Sequence, residues 1–370
     1  MRYKALDSWR GICALMVVLF HAEGRGPLGS SAFVHGAFLF VDFFFVLSGF
    51  VISVAYAARV TNSQQFREFL LRRFGRVWPL HAAIIFALLV LEIAKLLAVS
   101  WAGVQFNSPP FTGTLAPSGF LPSLLMVHAM GLLPALTWNV PSWSIGAEFW
   151  TYVVFALLVW WRRDRMVAVP LLIALCAALT IVLRSRAFMD VTYDLGFVRC
   201  LYGFFAGVLV HQLVTRRPAA SAPLGTVAEL ASVAAVIAFV AYAHDGPWAY
   251  LSPLVFAGVI LVFATSRGQL STFLLTPPFQ RLGTWSYSIY MTHLFILGVI
   301  HTLSRILGPR LAPTGLAARW RTVADLPLVA DGQIIAFALT VIAVSSLTYH
   351  WIESPGQRFW NRIAKSPDTP

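Results

Sequence analysis

Apolar residues along this chain are gathered into long runs, and polar residues cluster in the shorter stretches between them. A helix needs about 20 mainly apolar residues to cross the roughly 30 Å hydrocarbon layer of a membrane. Ten runs near that length occur, at residues 8–22, 36–58, 77–99, 142–161, 166–184, 196–214, 226–243, 247–265, 283–304 and 333–352. The pattern therefore predicts an all-α, polytopic membrane protein with about ten transmembrane helices.

Shorter segments between these runs predict how the rest of the chain is arranged. Residues 121–135 form an apolar run bounded by prolines, and because it is too short to span we expect a re-entrant or interfacial segment. Residues 59–76 are typical of an amphipathic helix on the inner face. We expect one membrane-embedded domain over residues 1–365 and a short polar tail at 366–370. The predicted outer loops are residues 23–35, 100–141 and 305–332.

Composition and charge support a membrane protein. Hydrophobic residues make up 58% of the chain and charged residues only 11%, whereas soluble domains carry about 25% charged residues. These values exclude a soluble globular protein, a disordered tail, a coiled coil and a disulfide mini-protein. The net charge of +12 does not indicate a nucleic-acid partner, because the basic residues lie at the ends of apolar runs. Their distribution predicts that both termini are cytoplasmic.

The cysteines give no sign of a disulfide framework or a metal site. Cys13, Cys176 and Cys200 all lie inside apolar runs, and none has a cysteine or histidine neighbour at metal-ligand spacing. We therefore expect no bound metal.

Arg10 and His21 are the first candidates for chemistry. An ionisable side chain at mid-membrane costs about 2.5–3.5 kcal/mol to insert, so it is a functional candidate by default. Eleven residues separate these two, which is close to three full helical turns, so both lie on one helix face. A guanidinium suits a phosphate or carboxylate, and a neutral imidazole suits proton abstraction. The alternatives are a boundary arginine that snorkels to the surface and a histidine that only packs.

Two carboxylates lie in the predicted outer half of the membrane. Asp42 stands within a run of phenylalanines, so it must pair with a cation or hydrogen-bond a histidine and hold its tautomer. Glu148 shares one helix face with Ser144 and Tyr152, because these residues are four apart. A carboxylate lined by hydroxyls could receive a sugar hydroxyl or orient a base. For both acids the alternative is a buried ion pair that only stabilises packing.

Arg72, Arg73 and Arg76 form a basic cluster at the predicted cytosolic side. Three arginines within five residues suit a polyanion such as a nucleotide phosphate. The alternative is a topology signal with contacts to lipid headgroups.

The ninth run contains a second interior imidazole. His293 follows hydroxyl residues, including Tyr290, at helical spacing, and a packing role is the alternative. Glu92 and Lys95 are expected to form a structural pair, and Glu353 is expected at the boundary of the last span.

Taken together, these stretches resemble the acyltransferase-3 family, polytopic bacterial enzymes that O-acylate surface carbohydrates. The resemblance covers nearly the whole chain in order, but family members often carry a second acid where this chain has Phe149, so Glu148 is left to act alone. The matching stretches are Arg10-Gly11-Ile12 with Leu19-Phe20-His21, the run from Asp42 to Phe50, the set Arg72, Arg73, Arg76 and Pro79, Trp143-Ser144 with Glu148, and Tyr287-Ser288-Ile289-Tyr290 with His293.

The resemblance implies the substrates and the location. It implies acyl-CoA, usually acetyl-CoA, as a cytosolic co-substrate, with no bound cofactor. The acceptor would be a hydroxyl of an exopolysaccharide, an O-antigen or a lipid-linked sugar. The protein would be a multi-pass protein of the bacterial cytoplasmic (inner) membrane, in contact with its lipids. Arg72, Arg73 and Arg76 would hold the CoA phosphates, and Arg10 would anchor the donor nearer its acyl arm.

His21 is then the expected general base for the acceptor hydroxyl, with an acyl-histidine intermediate as the alternative. Asp42 or Glu148 would orient His21 or contact the acceptor. The residues expected to contact the acceptor or support these groups are Ser144, Tyr152, Tyr290 and His293.

Two other functions stay open at this level. A proton-coupled secondary transporter also needs interior histidines and acids, but it would favour paired inverted repeats with broken helices, and the sequence shows none. A structural scaffold in a polysaccharide export complex predicts that substitutions of His21 are silent.

Overall fold

The computed structural model describes residues 3–22, 26–103, 105–106, 108–216, 225–265, 268–311 and 326–365. Within these ranges the chain is helical and contains no strand, which confirms the predicted all-α class. The α-helices are α1 Lys4–His21, α2 Ala32–His35, α3 Phe40–Tyr56, α4 Ser63–Ala102, α5 Phe120–Leu124, α6 Ser142–Arg162, α7 Ala168–Arg184, α8 Gly196–Arg216, α9 Thr226–Ala243, α10 Ser252–Thr265, α11 Gln269–Leu274, α12 Pro277–Leu311, α13 Pro327–Thr348 and α14 Ser354–Ala364. Short 3₁₀ turns connect several of them, and a π-helical turn, Tyr349–Glu353, joins α13 to α14.

Each of the ten predicted apolar runs lies largely within a helix. Among the described residues, seven helical stretches are long and apolar enough to cross a membrane, so a multi-pass architecture is confirmed. The other three runs correspond to α1, α7 and α12; the count of ten and the cytoplasmic termini therefore stay predictions. The seven stretches are Ala32–Tyr56, Ser63–Trp101, Ser142–Arg162, Gly196–Arg216, Thr226–Ala243, Pro247–Thr265 and Pro327–Ala364.

Two segments differ in detail from the predicted arrangement. The predicted inner-face helix at 59–76 and the predicted span at 77–99 form one continuous helix, α4, of 40 residues with Pro79 inside it. Residues 121–135 contain most of the five-residue α5 followed by turns. A helix of that length is far too short to span, so no helix crosses the membrane there.

Close packing of α1 against α12 sets the geometry of the site. An added Cβ at Gly11 would lie 2.5 Å from the backbone carbonyl carbon of Leu282, and one at Gly283 would overlap the backbone of Asp7. Glycine at both positions therefore lets the two helices approach until their backbones touch. Arg10, one residue before Gly11, is brought directly against α12.

A buried ion pair connects three other helices. Asp42 on α3 and Arg199 on α8 are 0% and 1% exposed, with Nε–Oδ1 at 2.7 Å and Nη2–Oδ2 at 3.0 Å. Ser252 on α10 donates to the same carboxylate at 2.7 Å. Because both charges are paired and both carboxylate oxygens accept hydrogen bonds, the pair is tolerated in the core.

Candidate functional site

A cavity of about 790 Å³ lies between α1, α3, α4, α6 and α12. One wall is apolar and comes mainly from α3, and the other is polar. Seven of the eleven predicted site residues line this cavity, and His21, Asp42, Arg72 and His293 do not. The polar lining consists of Arg10, Ser48, Arg73, Arg76, Ser144, Glu148, Tyr152, Ser286, Tyr287 and Tyr290.

Arg10 enters this cavity in an orientation fixed by α12. Its Nε donates to Ser286 Oγ at 2.8 Å, and its Nη2 donates to the carbonyl of Gly283 at 3.0 Å. Asp7 lies one turn earlier, with a carboxylate oxygen 3.8 Å from Nη2. These contacts explain how a guanidinium is tolerated in an apolar run, and they hold its charge at the cavity wall.

Arg76 is held by a carboxylate that the sequence placed at the boundary of the last span. Glu353 is only 1% exposed and forms an ion pair with Arg76. It also accepts hydrogen bonds from Ser288 at 2.7 Å and Gln357 at 3.1 Å. Glu353 ends the π-helical turn between α13 and α14, a local geometry often found at functional sites. Glu353, which follows the last predicted span, is therefore also a buried partner of the site.

The predicted basic cluster divides between two faces of α4. Arg73 lines the cavity, with its guanidinium 5.5 Å from the centre of the Tyr56 ring. Arg72 does not line the cavity, and its guanidinium bonds Glu68 at 2.9 and 2.5 Å. Successive helical residues point about 100° apart, so neighbouring arginines need not serve one site.

The residues predicted to share a face on α6 do so. Ser144 and Tyr152 line the cavity together with Glu148. Ser144 Oγ lies 2.8 Å from the Tyr290 hydroxyl, and the Tyr152 hydroxyl lies 3.0 Å from Ser48 Oγ. A carboxylate and four hydroxyls therefore line the same cavity as the three arginines.

His21 and His293 form a pair between α1 and α12. His21 Nδ1 lies 3.2 Å from His293 Nε2 and 2.9 Å from the carbonyl oxygen of Val17. His293 Nδ1 lies 2.6 Å from the carbonyl oxygen of Tyr290. The sequence singled out each histidine, but nothing in their separation along the chain predicted that the rings would touch.

These partners assign the tautomers of both rings. A carbonyl oxygen only accepts, so His293 Nδ1 carries a proton, and its Nε2 is the accepting nitrogen of a neutral ring. His21 Nδ1 faces that acceptor and the carbonyl of Val17, so it too carries a proton. In the neutral ring of His21 the basic lone pair is therefore on Nε2.

Tyr290 connects this histidine pair to the cavity. Its ring centre is 5.9 Å from that of His293 and 5.7 Å from that of Phe44. Tyr290 and Phe44 both line the cavity, and the two histidines do not. Phe44 and Tyr290 therefore form part of the cavity wall, with His293 packed behind Tyr290 and His21 in contact with His293.

Asp42 belongs to the ion pair with Arg199 rather than to the lining of the cavity. Its two carboxylate oxygens bond Arg199 and Ser252. The sequence offered two roles for Asp42, pairing with a cation or hydrogen-bonding a histidine. The structure shows the first. Arg199 was missed in the sequence, although an arginine inside the apolar run 196–214 was an available signal.

Comparison with known proteins agrees with these features. A family model described as an acyltransferase domain matches residues 3–353. "Acyltransferase MdmB" of Streptomyces mycarofaciens is 27% identical over 355 residues, covering 89% of this chain and 84% of that protein. "Protein 2 in picA locus" of Rhizobium radiobacter is 31% identical over 205 residues, covering 49% of this chain and 94% of that protein.

A third relative is longer than this chain. "Peptidoglycan O-acetyltransferase OatA" of Listeria monocytogenes is 23% identical over 389 residues, covering 95% of this chain and 55% of that protein. This chain therefore matches just over half of OatA. No solved structure matches the chain significantly.

Proposed function

We propose, from the premise that this chain belongs to the acyltransferase-3 family, that it transfers an acyl group from cytosolic acyl-CoA to a hydroxyl of a surface carbohydrate or lipid-linked sugar. The acyl group that we propose is acetyl, and the location is the bacterial cytoplasmic membrane. One observation carries the proposal: Tyr290 lines an arginine-bearing cavity and packs against His293, which contacts His21. Family membership favours this enzyme over the transporter that the sequence left open.

The lining of the cavity suits the donor in charge and polarity. Arg10, Arg73 and Arg76 would bind the phosphates of CoA, since guanidinium groups form strong charge-assisted hydrogen bonds to phosphate. The apolar wall from α3 would carry the pantetheine arm and the acyl group toward Tyr290. Arg72 is assigned no direct contact with the donor, because it bonds Glu68 away from the cavity.

The histidine pair would supply the base. His21 Nε2 takes the proton of the acceptor hydroxyl while the hydroxyl oxygen attacks the thioester carbonyl carbon. The tetrahedral intermediate then collapses, the carbon–sulfur bond breaks, and the imidazolium of His21 returns the proton to the leaving thiolate. The products are the O-acyl ester and free CoA. An acyl-histidine intermediate is the alternative route.

His293 and Glu148 would support this step in different ways. His293 Nε2 accepts the Nδ1 proton of His21, which keeps the basic lone pair on the other nitrogen and stabilises the imidazolium as it forms. Glu148, in the cavity with Tyr152 and Ser144, would hydrogen-bond the acceptor. For the thioester to reach His21, the contact between Phe44 and Tyr290 must open.

The test is transfer of radiolabel from acetyl-CoA to candidate cell-surface glycans by the purified protein in lipid nanodiscs. His21→Ala should abolish transfer, because removal of a general base costs about 100- to 10,000-fold. The matched control is His350→Ala, which removes an exposed histidine whose Nδ1 bonds the carbonyl of Ser346, four residues earlier. Full activity of His21→Ala would refute the mechanism.

A further inference from the structure

The C-terminal helix α14 packs on α4 along one stripe of its surface. An added Cβ at Gly356 would lie 2.5 Å from Pro79 Cβ, and one at Gly75 would overlap the side chain of Trp360. The buried Ala364 continues this stripe, because Gly356, Trp360 and Ala364 are four residues apart. The stripe therefore fixes α14 against the helix that carries two of the cavity arginines.

Two other stripes of α14 are exposed, and they differ in chemistry. Arg358 and Arg362 are four residues apart and lie one above the other, and the exposed Lys365 follows the end of the helix. Phe359 and Ile363 form the adjoining stripe and are 60% and 42% exposed. The helix itself contains no acidic residue. A cationic stripe and an apolar stripe therefore lie side by side on one helix.

This combination matches the boundary between the headgroups and the acyl chains of a lipid leaflet. Trp351, in the π-helical turn just before α14, is 74% exposed, and tryptophan is enriched at headgroup level. The guanidinium of Arg358 donates to Ser354 Oγ at 2.6 Å, but a guanidinium has five N–H donors, so others remain for a phosphate. A lipid with net negative charge fits best, because a zwitterionic headgroup brings a cation of its own.

The same helix contacts the segment of α4 that reaches the cavity. The centre of the Trp360 ring lies 4.8 Å from that of Phe74, which stands between the two cavity arginines of α4 in sequence. Glu353, the residue before α14, forms the ion pair with Arg76 and accepts a hydrogen bond from Gln357 of α14 at 3.1 Å. The position of α14 is therefore tied to the position of Arg76.

We infer that α14 binds the headgroups of anionic phospholipids through Arg358, Arg362 and Lys365, and that its contacts with α4 transmit this binding to the cavity. The lipid holds α14 in the arrangement in which Glu353 pairs with Arg76, and so favours the state of the cavity that binds an anionic donor. The lipid site stands without the proposed function, whereas the effect on CoA rests on it.

The first experiment measures lipid binding at α14 in the full chain, in phosphatidylcholine nanodiscs. Photoactivatable phosphatidylglycerol and phosphatidylcholine, each reactive near the headgroup, are compared. Cyanogen bromide cleaves after methionine, so residues 292–370, which include α14, form one fragment in every variant. We expect phosphatidylglycerol to label this fragment about fivefold more than phosphatidylcholine does. Arg358→Gln with Arg362→Gln should remove most of this preference, and Arg358→Lys with Arg362→Lys should retain it.

The matched control removes the same charge elsewhere. Arg184→Gln with Arg186→Gln replaces two exposed arginines that lie in the fragment 167–189. Labelling of residues 292–370 by phosphatidylglycerol should not change in this variant. Equal labelling of that fragment by the two lipids, or an equal loss of preference in the control, would overturn the lipid site.

The second experiment measures thermal stabilisation by CoA in nanodiscs of phosphatidylcholine alone and of equal parts phosphatidylcholine and phosphatidylglycerol. In the mixed bilayer we expect the unsubstituted chain to bind CoA about fivefold more tightly than the chain with Arg358→Gln and Arg362→Gln. In phosphatidylcholine alone the two should bind CoA equally, because no anionic lipid is present to act on α14.

The outcomes separate the inference from the proposed function. Equal CoA binding by the two chains in the mixed bilayer would overturn the transmission to the cavity. Weaker CoA binding by the substituted chain in phosphatidylcholine alone would also overturn it, since Arg358 and Arg362 would then contact CoA directly. Selective lipid labelling without stabilisation by CoA in either bilayer would leave the lipid site standing and contradict the proposed function.

Discussion

At the scale of single residues, the site depends on which face of a helix each cation occupies. Arg72 and Arg73 are adjacent in sequence and identical in chemistry, yet only Arg73 lines the cavity. This difference makes Arg72 an internal control for the contribution of Arg73.

Arg73→Ala should weaken CoA binding by about 10- to 100-fold, because hydrogen bonds to charged groups contribute about 1.5–3 kcal/mol. Arg72→Ala should change it little, since that guanidinium bonds Glu68. Thermal stabilisation of the purified protein by CoA measures both. Equal losses of CoA binding in the two variants would show that the phosphates also bind on the face of α4 that carries Arg72, away from the cavity.

His293 tests whether the second imidazole positions the first. His293→Phe should lower kcat for transfer about tenfold or more, with the KM for acyl-CoA unchanged, because His21 loses the acceptor for its Nδ1 proton. His293→Gln offers an amide oxygen in that place and should recover part of the rate. If the two variants have the same kcat, His293 has only a packing role.

At the scale of helices, the ion pair of Asp42 and Arg199 holds α3 and α8 together. Arg199→Leu should lower the free energy of unfolding by about 3–5 kcal/mol, because it leaves Asp42 charged and unpaired in the core. Replacing both residues by leucine should cost less than the single change. Unfolding by SDS in mixed micelles measures this loss, with Arg184→Leu, an exposed arginine at the end of α7, as the control. A loss no larger than that of the control would mean that the pair does not stabilise the fold.

Relations within one helix could be predicted from the sequence, and relations between helices could not. The four-residue spacing of Ser144, Glu148 and Tyr152 correctly predicted that these side chains share one helix face, because helical geometry fixes the direction of each side chain. The contacts of Arg76 with Glu353 and of His21 with His293 each join residues more than 270 positions apart. The pairing of helices depends on small residues and side-chain shapes along whole helix surfaces. The spacing of residues within one helix therefore does not predict it.

At the scale of the whole molecule, the proposed reaction requires that the arginine end of the bundle face the cytosol. The excess of basic residues on the side of the termini predicts this orientation. A fluorescent protein fused after Lys365 should therefore fluoresce, whereas alkaline phosphatase fused there should be inactive. Phosphatase fused after Ser118, between α4 and α6, should be active. The reverse pattern would place the basic cluster outside, where CoA is absent.

The wall formed by Phe44 and Tyr290 has a consequence for the resting protein. Thioesters hydrolyse when a base activates water beside them, and a closed site protects a reactive group by excluding water. Tyr290 lies between the cavity and the fully buried ring of His293, which in turn contacts His21. A thioester docked in the proposed donor site would therefore be separated from the proposed base, His21. Under the proposed function, this separation would suppress futile hydrolysis, so that acyl-CoA would be consumed only when an alcohol is in place to receive the acyl group.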